Sequence, residues 1–244
     1  MAERPTPSVE FVPAAHVRTL TGRIEAARQR ALDRLGSPPR EADAHYWQLL
    51  FEANAAEVLA ELASVTLAEG FVVRYRFFGR RGGDLLARPF VARSGTDIEA
   101  VRQLIDWHPP PDSVAGTLAN APNQDVELLY RHFSFPPTPT GFFEYWLAMQ
   151  EVWASARWAH SQLIVCGEEL SRITAGDSWE VMHPVETCEP AVVRNDQGAR
   201  LAVLVHCRLE RLSISLQQID IDADRSLRYA DPILIATGPR GYVL

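Results

Sequence analysis

FFEYWLAMQEVWASARWAH, residues 142–160, is the longest strongly apolar run in the chain, and its spacing is helical. At 3.6 residues per turn Phe142, Trp146, Met149, Trp153, Ala156 and His160 share one face, while Phe143, Leu147, Ala154 and Trp158 share a second. Glu144, Glu151 and Ser155 form its one continuous polar stripe. A helix that is apolar around most of its circumference belongs in a core. A membrane span needs about 20 uninterrupted apolar residues. Glu144, Gln150, Glu151 and Arg157 interrupt this run, so no membrane association is expected.

Working outward, residues 134–141 carry Pro136, Pro137 and Pro139 and form the clearest boundary in the chain. Beyond His160 the pattern changes to period two. Strands are expected at 162–166, 179–182, 189–194, 201–209, 212–221 and 226–236, with a hairpin turn at Asn195, Asp196, Gln197 and Gly198. Along 201–221 the apolar phase slips by one residue between Leu216 and Ile219, which a β-bulge at Gln217 or Gln218 would absorb.

Before the boundary, residues 1–13 read as an extended, poorly packed arm. Residues 14–35 read as a basic amphipathic helix with a solvated arginine face, ending at Gly36. A second helix is expected over 41–69, with Trp47, Leu50, Phe51, Val58, Leu62 and Val65 inward, Gln48, Glu52, Glu57 and Glu61 outward, and Gly70 as its left-handed cap. Residues 71–93 read as two strands around Gly79, Arg80, Arg81, Gly82 and Gly83. A capping box at Thr96 to Glu99 opens a short helix, and 126–133 reads as helical.

The expected fold is therefore α+β. N-terminal helices and a β-hairpin come first, then a long buried Trp-rich helix packed on a C-terminal, mainly antiparallel sheet. The organisation is an arm (1–13), a helical part (14–133) and a helix-plus-meander part (140–244), the last two fitting one continuous domain. Tyr46, Trp47, Glu52 and Ala55 match Tyr145, Trp146, Glu151 and Ala154 at a constant offset, which raises an internal duplication of a helix–hairpin unit.

The composition narrows the function classes. In 244 residues, 47% apolar and 23% charged content is ordinary for a globular chain, and a formal charge of -7 argues against a wholly nucleic-acid-coated surface. All 24 basic residues are arginine, which excludes Schiff-base lysines and the phosphate-loop lysine. A GC-rich, bacterial-type coding genome accounts for this bias. Three cysteines without a close pair do not make a disulfide framework, and no signal peptide is read at the start, so the expected compartment is cytoplasmic.

Three clusters carry candidate chemistry. The 71–93 hairpin concentrates Arg74, Arg76, Arg80, Arg81, Arg88 and Arg93 against Asp84 alone, a grip suited to phosphates or an acidic protein. Asp220, Asp222 and Asp224 alternate at a strand end, where two carboxylates on one face could hold magnesium or calcium, although Arg225 stands where a calcium loop needs glycine. His160, Cys166, His183, Cys188, His206 and Cys207 crowd one region without zinc-ligand spacing. Buried cysteines and a hydrogen-bonded core histidine account for them better. Gly176, Asp177 and Ser178 match the opening of a serine-hydrolase block, but Trp179 follows where a leucine belongs. No catalytic residue is assigned and no cofactor is expected. The leading expectation is a non-enzymatic protein-interaction or assembly protein that binds another protein or itself. The alternatives are a nucleic-acid-binding module using the arginine hairpin and a metal-dependent phosphoester hydrolase using Asp220 and Asp222.

Overall fold

Helical and period-two patterning separate along the chain into real elements. The computed structural model describes residues 8–36, 44–79, 85–96, 129–154, 161–176, 178–208 and 211–241. Its helices there are α1 (Ala14–Leu35), α2 (Ala44–Glu61), α3 (Pro139–Ala154) and the short α4 (Gly167–Ile173). The strands are β1 (Val9–Phe11), β2 (Thr66–Leu67), β3 (Phe71–Gly79), β4 (Leu85–Arg93), β5 (Phe133–Ser134), β6 (Ser161–Ile164), β7 (Glu180–Val181), β8 (Ala191–Asn195), β9 (Gly198–Cys207), β10 (Arg211–Asp222), β11 (Leu227–Tyr229) and β12 (Ile233–Arg240). The class is α+β, as expected. The chain divides into two compact units: Met1–Thr19, Pro137–Phe143 and Ala156–Leu244 form one, and Leu20–Pro136 with Glu144–Ser155 the other.

The first unit is built on an eight-stranded antiparallel sheet of order β1-β8-β9-β10-β12-β7, with β6 also pairing β9 and β11 also pairing β10. Its spine is the β9–β10 ladder, which runs without a break from Ser213 opposite Cys207 to Asp222 opposite Gly198. The bulge expected at Gln217 or Gln218 is therefore absent from this ladder. The apolar phase slip is answered differently, because the strand buries opposite faces along its length. Ile214 and Leu216 lie on the face of Leu204 and His206, while Ile219 and Ile221 lie on the face of Leu201 and Ala199. Ile214, Leu204, Ile219, Ile221, Leu201 and Ala199 are all buried. Ladder irregularities occur instead between β10 and β12, at Arg211/Ser213 and Ile214/Ser215.

Within the N-terminal stretch, the described residues Val9–Val12 are extended but not poorly packed. β1 pairs β8, Val12 donates its N–H to the Pro190 carbonyl at 2.8 Å, and the Val12 side chain is fully buried. Burying one valine stabilises by about 1.5 kcal/mol or more, enough to hold a short edge strand. The β8–β9 turn is the expected hairpin, with Asn195 opposite Gly198 and the Gln197 N–H bound by Asn195 Oδ1 at 2.8 Å.

In the second unit α2 stops at Glu61, eight residues short of the expected end. The backbone beyond it has better partners. The Ser64 N–H donates to the Glu144 carboxylate at 2.7 Å, and Thr66 and Leu67 pair with Ser134 and Phe133. Gly70, at φ +80°, turns the chain into β3 and caps no helix. β3 and β4 form the expected hairpin in unbroken register from Phe71 opposite Arg93 to Gly79 opposite Leu85. Residues 126–128, the short helix after Thr96 and His160 lie outside the described residues. Leu129–His132 is a single 3₁₀ turn, and Phe133 is already strand.

The Trp helix begins inside the proline boundary. Thr138 accepts the Phe142 N–H on its carbonyl at 2.9 Å and the Gly141 N–H on Oγ1 at 3.1 Å, which caps the helix and leaves Pro139 at its first position. The duplication is not present. β3 and β4 pair with each other in their own sheet, whereas β6 pairs β9 and β7 pairs β12.

Among the described residues the tightest glycine constraint sits at Gly198, with φ +144° and an added Cβ falling 1.9 Å from the Ile221 carbonyl oxygen. Gly198→Ala should destabilise the protein by more than about 1 kcal/mol. Urea unfolding monitored by circular dichroism checks this, and an unchanged midpoint would contradict the ladder geometry.

Candidate functional site

α3 carries its chemistry on the stripe read as polar. Glu144 and Glu151 are both buried, Glu151 at 3% exposure. The Arg28 guanidinium meets Glu151 with Nε to Oε2 at 3.0 Å and Nη2 to Oε2 at 2.6 Å. Burial pushes the Glu151 carboxyl above the usual carboxylate range, and the charge and hydrogen bonds of Arg28 oppose that shift. Tyr75, fully buried on β3, donates its hydroxyl to the Val152 carbonyl at 2.7 Å. Burial, helped by the charges of Glu151 and Glu52, raises its phenol well above the ordinary value. An aromatic ladder links Trp47 to Phe51 at 6.2 Å and Phe51 to Tyr75 at 5.4 Å between ring centroids.

The arginine face of α1 is not simply solvated. Arg23 Nε meets Glu61 at 2.9 Å, Arg30 Nε meets Glu57 at 3.1 Å, and Arg34 also pairs with Glu57. Glu57 and Glu61, read as part of the outward face of α2, therefore meet α1. Of the hairpin arginines, Arg74 is half-buried and paired with Glu52 of α2. Arg93 lies 5.2 Å from the ring centroid of Phe71, its register partner. Arg76 and Arg88 are opposite each other in the backbone register. Their side chains, and Arg80 and Arg81 entirely, lie outside the described residues.

The acidic strand end is populated by arginines. Arg200, Asp220 and Arg228 stand in one cross-strand row, and Asp220 accepts Arg200 Nε at 2.7 Å and Nη2 at 3.0 Å. That fork holds the Asp220 carboxyl below its usual range against a modest desolvation cost. Asp222 accepts Arg228 Nη2 at 2.8 Å, and Asp224 accepts the Ser226 N–H at 3.0 Å and hydroxyl at 2.7 Å. A cation would have to displace two arginines. Among the described residues no group of three or more His, Cys, Asp or Glu side chains is arranged for a metal ion.

His206 and Cys207 face opposite sides of β9, as strand geometry requires. All three cysteines are free, and Cys188 is buried in a cluster with Ile164, Leu204, Ile214, Ile235 and Ala236. Burial raises its thiol pKa, with the nearby Cys166 and Glu169 adding to the effect. His206, exposed at 7%, departs from the expected hydrogen-bonded core histidine, since among the described residues neither ring nitrogen has a partner. Its neighbour is the Trp179 ring, 5.9 Å away between centroids. Burial lowers its pKa, Arg208 adds to the lowering and Glu169 opposes it.

Comparison with family models, curated proteins and solved structures finds no match for this chain. Among the described residues no helix is long and apolar enough to cross a membrane.

The buried Arg28–Glu151 pair has a direct consequence for stability. Arg28→Met strands a buried carboxylate and should cost about 3 kcal/mol at neutral pH, while adding Glu151→Leu should recover most of that loss. Because burial raises the folded pKa of Glu151 above its ordinary 4.5, its contribution to stability is full below pH 4.5 and declines as pH rises through the folded value. Glu151→Gln should remove that slope. Urea midpoints measured from pH 4 to pH 8 read both effects, and an Arg28→Met protein as stable as the parent would refute the buried pair.

Proposed function

We propose that this chain is a non-enzymatic interaction or assembly protein that associates with a second copy of itself through the β12–β7 end of its sheet. The observation that carries this reading is a set of large apolar side chains left in solvent there. Val181 is 61% exposed, Met182 45%, Ile233 41% and Leu234 36%. Val181 and Met182 run beside β12, since Val181 pairs with Ala236 and the Met182 N–H donates to the Ile235 carbonyl at 2.8 Å; Ile233 and Leu234, consecutive on β12, point to opposite faces, so the exposed set wraps around the end of the sheet. Exposed Glu180 and His183 flank Val181 and Met182. Apolar patches with a polar rim mark interaction surfaces.

Self-association is favoured by the chemistry of the patch. Its four apolar residues carry no charge, so a twofold contact sets like against like without repulsion despite the net charge of -7. The edge position adds an incentive, since unpaired strand groups form a template for another strand. Further support comes from how the other candidate groups are engaged. Asp220 and Asp222 are matched by Arg200 and Arg228, and Arg74 is matched by Glu52.

Sedimentation velocity across a concentration series tests the reading. The parent should shift from monomer to dimer, and Val181→Glu with Ile233→Glu should stay monomeric with unchanged circular dichroism. A parent that remains monomeric up to its solubility limit would defeat the proposal.

A further inference from the structure

We propose that His206 and Trp179 form an acid-sensitive latch that holds the Trp179–Met182 segment against the sheet and so governs the association surface above. This rests on the self-association reading for its consequence, though not for the latch itself. The segment matters because it includes β7, and with it Val181 and Met182, half of the exposed apolar set.

The latch is built from three fittings. Trp179 packs against the buried cluster that contains Leu204, Ile214 and Ala236. It also lies directly on the backbone of β12, where a Cβ added at Gly238 would fall 2.7 Å from its ring. Its third neighbour is the His206 imidazole, whose two nitrogens are buried without partners among the described residues. Neutral imidazole beside an indole is an acceptable apolar contact. Imidazolium is not, because it has two N–H donors to satisfy and a charge to solvate.

The charged groups around the ring give a protonated His206 little relief. Arg208, one residue past the end of β9, carries like charge and donates to Gln162 Oε1 at 2.5 Å. Gln162, the register partner of His206 on β6, donates its amide to Glu169 of α4 at 2.6 Å, and Glu169 also receives the Val165 N–H at 3.4 Å. Glu169, the carboxylate near the ring among the described residues, is thus committed elsewhere. Protonation is relieved by letting the ring reach water, which requires Trp179 to leave. Burial, with Arg208 adding to it, lowers the pKa of His206 while latched, and release into water removes the burial part of that shift. Acid therefore favours release, by up to tenfold per pH unit between the released and latched values, and neutral pH restores the latch.

The test follows Trp179 emission from pH 7.5 to 5.0, taken as the difference between the parent and Trp179→Phe because the chain has six tryptophans. The His206 ring resonances are recorded over the same range. A reversible Trp179 transition with the same midpoint as the His206 titration is expected. His206→Leu should abolish it, and Gly238→Ala should give the acid-form emission at neutral pH. A Trp179 signal that stays flat, a transition that persists in His206→Leu, or midpoints that differ would each overturn the latch. If His206→Leu fails to fold, the coincidence of midpoints in the parent decides. Sedimentation at the two pH extremes reads the consequence separately: dimer lost in acid is expected, while a Trp179 transition in a protein that never dimerises would uphold the latch and remove only the self-association reading.

Discussion

A carboxylate taken out of water costs several kcal/mol unless something answers its charge, and the helical unit is arranged around two such groups. Glu151 is answered by Arg28 from α1, and Glu144 by the Ser64 N–H just after α2. Those two contacts explain why α2 stops where it does and why one arginine of α1 turns away from the glutamates of α2. Tyr75 adds a third attachment to α3 through the Val152 carbonyl. The apolar circumference of the Trp helix supplies burial, and these polar ties set its position along and around its axis.

Much of this was legible in the sequence where the deciding signal was local. The helical period of 142–160 marks a buried helix, the glycines and arginines after Phe78 mark a hairpin, and Asn195 to Gly198 marks another. The misreadings share a physical cause. Periodicity gives the angle at which Glu151 leaves the helix but not what stands opposite, and its partner lies 123 residues away. The end of α2 was invisible for the same reason, because its backbone is claimed by Glu144 and by β5. For His206, the alternation of β9 gave the facing correctly, yet only packing shows that Trp179 rather than a hydrogen-bond partner occupies that side.

The candidate sites divide in the same way. The spacing of Asp220, Asp222 and Asp224 is real, and what it could not convey is that Arg200 and Arg228 are placed by register beside the same carboxylates. A sequence search for this would pair strands first and ask which basic residues fall opposite the acids. The exposed apolar group at Val181, Met182, Ile233 and Leu234 had no sequence signature, since those residues look like ordinary strand interior until the sheet's edge is known.

The inversion of burial along β10 has a further consequence. A strand that hides one face throughout can slide and still find oil on the correct side. Here a slip of one residue would carry Asp220 and Asp222 onto the side of Leu201 and Ala199, stripping both carboxylates of water and of their arginines. Misaligned sheets are thus penalised at both ends of the same strand, so the central ladder acts as its own alignment check during folding. The Gln217–Gln218 step, which reads like an irregularity, is the point about which that check turns.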